Sequence, residues 1–342
     1  MCFLDGNNIT YNVITKGFVV MRKSTRNTII ALSALTAVSV TATLVLSRAI
    51  VDMAVKRDAK IPSSEKLQDK ISGGLRTDPR LKEIAKVSEE AKLLPTETVT
   101  IESHDGLQLT GHLYKAQAPK RIIIAMHGWR SNWETDFGVT VEFYNRLGCT
   151  MLYADQRGQN DSDGDYIGFG IHERFDCQKW VEYAVEYFGT KIPIYLLGVS
   201  MGASTVLMAS GLDLPEQVKG IIADCGFTSP KAIWQHIVDN NLKLNSKLSY
   251  PIINRICKRV ASFDGDEYST LEAMKVNTRP ILFIHGSDDN FVPLKMSVDN
   301  YLACRAPKDM LIVPGAGHGM SYITDSGAYK RAVKRFLKSI EY

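Results

Sequence analysis

Five residues, Gly198-Val199-Ser200-Met201-Gly202, carry the clearest chemical signal in the chain. A serine hydroxyl becomes a useful nucleophile when a base takes its proton and the backbone holds it in the open. A G-x-S-x-G pentapeptide between a strand and a helix does the second job, because its glycines let the chain turn sharply and leave the serine at the tip. The surroundings fit: the apolar run Pro193-Ile-Tyr-Leu-Leu197 precedes it, and the helix-prone stretch Ala203-Ser-Thr-Val-Leu-Met-Ala-Ser210 follows. The competing reading is an ordinary glycine-flanked tight turn. Two further stretches weigh against that. His285-Gly-Ser-Asp-Asp-Asn-Phe-Val-Pro293 places two carboxylates, Asp288 and Asp289, just past an apolar run, and Pro314-Gly-Ala-Gly-His-Gly319 places His318 in a glycine-rich loop. A histidine that takes the Ser200 proton, held in one tautomer by a carboxylate, is the set that acyl transfer needs.

Such groups converge when each sits at the carboxyl end of a different strand of one parallel sheet. The sequence supplies the strands: Arg121–Met126, Thr150–Asp155, Pro193–Gly198, Gly220–Asp224, Pro280–Ile284 and Met310–Val313. Helix-length segments alternate with them at Trp133–Leu147, Ile171–Tyr187, Ser200–Leu212, Pro293–Cys304 and Tyr329–Ile340. This alternation predicts a mostly parallel central sheet with helices on both faces. An antiparallel hairpin, with strands at 96–102 and 107–114, opens the domain. The stretch from Phe227 to about Val276 is too long for a simple crossover. With amphipathic pieces at Ala232–Leu242 and Tyr250–Val260, it is expected to form a small helical cap.

The chain has 342 residues, 45% of them hydrophobic and 23% charged, which is globular composition with enough length for a large core. A formal net charge of +4 on dispersed basic residues, without a Lys/Arg stripe among aromatics, argues against nucleic-acid binding. The six cysteines make no C-x-x-C pair, which argues against a zinc site or a disulfide framework. Between Arg26 and Arg48 lie 21 uncharged residues. At about 1.5 Å per residue they reach across a hydrocarbon core of about 30 Å. A cleaved signal peptide and a buried soluble helix are the competitors, but the run is long for a signal and lacks a clean small-residue cleavage site. Arg22, Lys23 and Arg26 precede the segment, so the positive-inside tendency places the N-terminus in the cytoplasm and the body outside. The expected organisation is a cytoplasmic segment (1–26), a transmembrane signal anchor (27–48), a juxtamembrane linker with amphipathic helices (49–94) and a main domain (95–342) carrying the cap at about 227–276. Met21 also reads as a natural start, which would make residues 1–20 an upstream extension.

On these motifs, together with His127-Gly-Trp129 and Asp155-Gln-Arg-Gly158 with Ser162, the region 95–342 resembles an α/β-hydrolase. It is most similar to the membrane-bound or cell-surface serine hydrolases of Gram-positive bacteria. The resemblance implies a catalytic triad of Ser200, Asp289 and His318, with Asp289 favoured over Asp288 and Asp224 a distant third. It also implies an oxyanion hole formed by the backbone N–H groups of Met201 and Trp129. Such donors typically lower an acyl-transfer barrier by about 3–4 kcal/mol each. His127, Gly128, Gly198 and Gly202 are then structural loop residues. The chain departs from the family pattern at Asn160, where a second glycine is usual, but Asn tolerates left-handed backbone. Asp161, Asp163 and Asp165 superficially resemble a calcium loop, yet lack its glycine and its twelfth-position Glu, and read as a solvated acidic loop.

The function these residues predict is a membrane-anchored serine hydrolase that cleaves carboxylic esters through an acyl-serine intermediate. No metal or organic cofactor is required. A serine peptidase or aminopeptidase of the prolyl oligopeptidase-like branch is the alternative, using the same triad on a peptide substrate. A non-catalytic surface adaptor is a more remote one.

Overall fold

The computed structural model describes residue 27 and residues 41–60, 64–74 and 77–340. The chain forms two units, Met1–Leu46 and Ser47–Tyr342. In the first, residues 41–46 are helical, with Leu44, Val45 and Leu46 exposed. Among the described residues no helix is long and apolar enough to cross a membrane. Most of the expected anchor at 27–48, and all of the segment 1–26, lie outside the described residues.

The second unit starts with helix α1 (residues 47–55), α2 (Glu65–Ile71) and α3 (Leu81–Ala91). A hairpin of β1 (Glu97–Glu102) and β2 (Gln108–Tyr114) leads to β3 (Arg121–Met126), α4 (Trp133–Phe137), α5 (Val141–Arg146) and β4 (Cys149–Ala154). Then come α6 (Glu173–Phe188), β5 (Ile194–Val199), α7 (Met201–Ala209) and β6 (Val218–Asp224). The cap comprises α8 (Pro230–His236), a π-helical turn at Ile237–Asn241, α9 (Ser246–Val260) and α10 (Thr270–Val276). The chain closes with β7 (Ile281–Gly286), α11 (Leu294–Ala303), β8 (Lys308–Val313), α12 (Ser321–Thr324) and α13 (Ser326–Ile340).

Eight strands form one sheet in the order β1-β2-β4-β3-β5-β6-β7-β8. The β1–β2 and β2–β4 pairs are antiparallel, and every other pair is parallel. The central strands are buried at every position of β3, β4 and β7, as expected where helices cover both faces. Alternate residues feed two cores: Ile122, Ile124, Leu152 and Leu196 on one face, and Ile123, Met151, Tyr153 and Tyr195 on the other. Helix α13 covers the second face with Tyr329, Ala332, Val333, Phe336 and Leu337, the spacing of an amphipathic stripe.

Three local departures from the sequence reading have physical causes. The single helix expected over Trp133–Leu147 is two helices joined by a 3-10 turn at Gly138–Thr140. Glycine and the β-branched Val139 and Thr140 are weak helix formers, and Gly138 packs against Ala91 and Val87 of α3. The helix expected from Ser200 begins at Met201, because Ser200 adopts φ +56°. Most consequential, helix α1 is built into the body. Val51 and Val55 of α1 are fully buried in a third core with Phe169, Phe227, Trp234 and Phe263.

Candidate active site

Strand β5 ends at Val199, and the next residue carries the turn. Ser200 sits at φ +56°, ψ −118°, a conformation that costs a non-glycine residue about 1–3 kcal/mol. Its neighbours hold it there: the Ser200 N–H donates to Asp224 O at 2.8 Å, and the Ser204 N–H donates to Ser200 O at 3.1 Å. The flanking glycines are needed for space, since neither has positive φ. A Cβ on Gly202 would lie 1.8 Å from Met126 O, and one on Gly198 would lie 2.2 Å from Gly202 O. Close backbone packing therefore excludes a side chain at both flanking positions, while the serine between them carries the strained angle.

His318, in the loop after β8, reaches Ser200 Oγ with Nε2 at 2.8 Å and Asp289 Oδ2 with Nδ1 at 2.7 Å. Asp289, in the loop after β7, accepts at Oδ1 from the N–H groups of Phe291 (2.9 Å) and Val292 (2.8 Å). Its Oδ2 also lies 3.1 Å from His285 Nε2. His285 Nε2 faces Val292 O as well, at 2.9 Å, so that nitrogen carries the proton and Nδ1 accepts from Ser297 Oγ at 2.6 Å. Burial opposes ionisation of Asp289. The His318 charge and the hydrogen bonds of His285 and His318 outweigh it and hold the carboxyl well below the usual range. For His318, burial likewise opposes the charged form, but the Asp289 carboxylate prevails and raises the imidazole above its ordinary value. Phe291 packs edge-on against the His318 ring at 4.9 Å.

The other two carboxylates considered from the sequence go elsewhere. Asp288 is exposed and accepts from its neighbour Ser287 Oγ. Asp224 accepts from Ser321 Oγ at 2.9 Å, and burial pushes its carboxyl up to about 6 despite that bond.

The loop after β3 presents Gly128-Trp129-Arg130 to the serine, and a Cβ on Gly128 would lie 3.3 Å from Ser200 Cβ. Gly128 N–H donates to Asp136 Oδ2 and Arg130 N–H donates to Gln159 Oε1, each at 2.6 Å. Among the described residues, the N–H groups of Trp129 and Met201 have no acceptor. His127 is fully buried; its Nδ1 faces Gly128 O at 2.8 Å, and its Nε2 accepts from Gln156 N and Asn160 Nδ2. Those three bonds fix the ring in place, and it braces the loop. Asn160, at φ +49°, adds a bond from Nδ2 to Ser131 O at 2.9 Å, so the residue in the glycine position helps hold the same loop.

Two cavities meet at Ser200. One is a slot whose exposed lining is apolar throughout, bounded by Phe169, Phe227, Ile233 and Val238 with Ile50 and Ala54 of α1. The other is a broader cleft reaching Arg130, Asp136 and His318. The volume open to the centre of a water molecule is about 60 Å³ in the slot and about 400 Å³ in the cleft.

The profile of the prolyl oligopeptidase family matches residues 135–340. The chain belongs to that family. The matched span includes Ser200, Asp289 and His318, while His127, Gly128 and Trp129 precede it. The uncharacterized protein YqkD of Bacillus subtilis (strain 168) is 28% identical over 241 residues, 70% of this chain and 78% of that protein. Among solved structures, the Pyrococcus furiosus esterase Pf2001 superimposes with a TM-score of 0.61 at 19% identity, covering 74% of this chain and 93% of the esterase. An acylaminoacyl peptidase in complex with a chloromethyl ketone gives a TM-score of 0.52 at 17% identity, covering 72% of this chain and 41% of the peptidase. The chain is thus an α/β-hydrolase, a serine hydrolase-like protein of the esterase and S9-peptidase type.

In this family member the structure brings Ser200, Asp289 and His318 into one hydrogen-bonded line, with Met201 and Trp129 beside it. Gly198, Gly202, His127 and Gly128 form the packed frame behind them. Sequence reasoning missed Asp136, which orients Gly128, and the contribution of α1 to the slot. The signal for α1 was present: Ile50, Val51, Ala54 and Val55 make one apolar helical face between charged neighbours.

Proposed function

We propose that this protein is a membrane-anchored serine hydrolase that cleaves carboxylic esters, with Ser200 as nucleophile, His318 as base and Asp289 as the acid that orients it. The observation that carries the reading is the unbroken line from Ser200 Oγ through His318 to a buried, ionised Asp289. Ser200 Oγ attacks the ester carbonyl carbon as its proton passes to His318 Nε2. The negative charge that develops on the carbonyl oxygen is accepted by the N–H groups of Met201 and Trp129. Collapse breaks the bond to the alkoxide, which leaves as the alcohol with the proton from His318. Water, deprotonated by His318, then attacks the acyl-serine and releases the carboxylic acid and free Ser200.

The ester preference rests on the apolar slot beside Ser200, which offers a peptide terminus no polar partner. Family membership favours the peptidase reading, and a direct comparison of turnover on matched esters and aminoacyl amides separates the two. Amide turnover equal to ester turnover would overturn the ester assignment. The anchor and the extracytoplasmic placement rest on the uncharged run 27–47 and the basic residues before it. The exposed Leu44, Val45 and Leu46 suit a lipid-facing helix. A reporter fused at residue 342 that functions in the cytoplasm would contradict that orientation.

A further inference from the structure

We propose that the slot beside Ser200 is the acyl subsite, that it takes an unbranched apolar acyl chain, and that the N-terminal helix α1 is one of its walls and sets the chain length it accepts. This rests on the hydrolase reading above. The slot is lined by Ser200 and Met201, by cap residues Ile233 and Val238, and by Ile50 and Ala54 of α1. Its lining is apolar throughout, so a hydrated or charged group entering it would lose its water without replacement partners. Its small volume and apolar lining, against the larger and more polar cleft that also opens on Ser200 and His318, suit the acyl chain in the slot and the leaving alcohol in the cleft.

The wall is a fixed part of the site. Trp129 Nε1 donates to Ala54 O at 2.7 Å, and Ile167 N donates to Val55 O at 2.7 Å. The Arg130 guanidinium donates to the carbonyl of Met53 in the last turn of α1 (3.0 and 3.2 Å) and to those of Lys56 and Arg57 just past its end. Arg57 in turn is held by the carbonyls of Asn160, Ser162 and Gly164. Two arginines thus clamp α1 across the two loops that frame the serine. Trp129 joins the two halves: it lines both cavities with Ser200, and its indole ties down the slot wall.

The test is the dependence of kcat/KM on acyl length, from acetyl to dodecanoyl p-nitrophenyl esters, with the full-length chain in detergent. Each methylene that enters the slot should raise kcat/KM about three- to fourfold until the slot is full. Ala54→Phe from the α1 wall and Val238→Phe from the cap wall should each lower the octanoyl-to-acetyl ratio at least about tenfold. Labelling of Ser200 by a fluorophosphonate and an unchanged melting transition check that each variant is assembled. A flat length profile in the labelled parent, a preference for benzoyl over linear esters, or an unchanged ratio in both labelled variants would overturn the acyl-subsite assignment and leave the hydrolase reading standing. A folded parent that takes no label would overturn both.

Discussion

The floor and the roof of this site are built by different physics. The floor consists of strand ends and tight turns, with polar groups fixed by short hydrogen bonds: Ser200, His318 and Asp289, backed by His285, His127 and Asp136. The roof consists of apolar side chains from α1 and the cap, where shape replaces hydrogen bonding. On the proposed reading, the floor sets which bond is attacked and the roof selects which acyl group reaches it. A fold can therefore keep one chemistry while its substrate changes with the segments packed above it.

Substitutions in the floor should cost orders of magnitude on every substrate. Asp289→Asn keeps the shape but loses the charge and tautomer control of His318, and is expected to lower kcat about 10⁴-fold across the ester series. Asp288→Asn, at an exposed carboxylate that does not touch His318, should change it by less than about twofold. A larger effect at Asp288 than at Asp289 would break the assignment of the acid.

The pH profile sharpens the same comparison. His318 must be neutral to accept the Ser200 proton, and Asp289 raises its pKa, so the ascending limb of kcat/KM should lie above pH 6.5, the ordinary value for histidine. Asp289→Asn removes the stabilisation of the imidazolium and should move that limb to lower pH. The roof variants should leave its position unchanged.

The smallest effect is expected at the residue joining floor and roof. Trp129→Phe keeps the backbone N–H and the aromatic bulk but deletes the indole bond to Ala54 O. The loss of about 1 kcal/mol should lower the melting midpoint by about 2 °C for a domain of this size. It should also weaken the acyl-length preference, with little change in acetyl ester turnover.

The floor was largely legible in the sequence because each of its parts has a local signature. The β3, β5 and β7 strands are continuous apolar runs, and the motif residues stand immediately past such runs. The sheet therefore brings distant positions to one edge without any further assumption. The φ of +56° at Ser200 was not legible, since residue types and spacing carry no backbone angle. The split of the helix after Trp133 was missed because the apolar spacing of Trp133, Phe137, Val141 and Tyr144 runs on through the weak helix formers Gly138, Val139 and Thr140. The roof was hardest to read. The apolar face of α1 fits a surface linker as well as a buried wall, and what decides is its capture by Arg130 and Trp129, more than seventy residues away along the chain. Local periodicity reports that a helix has an apolar face and does not say what covers it.

The most direct test of the account is active-site labelling of the full-length protein with a small fluorophosphonate, with the modified peptide located by mass spectrometry and Ser200→Ala in parallel. An activated serine at the end of β5 predicts one stoichiometric adduct on Ser200 in the parent and none in the variant. A folded parent that remains unlabelled, or that carries its adduct on another residue, would contradict it.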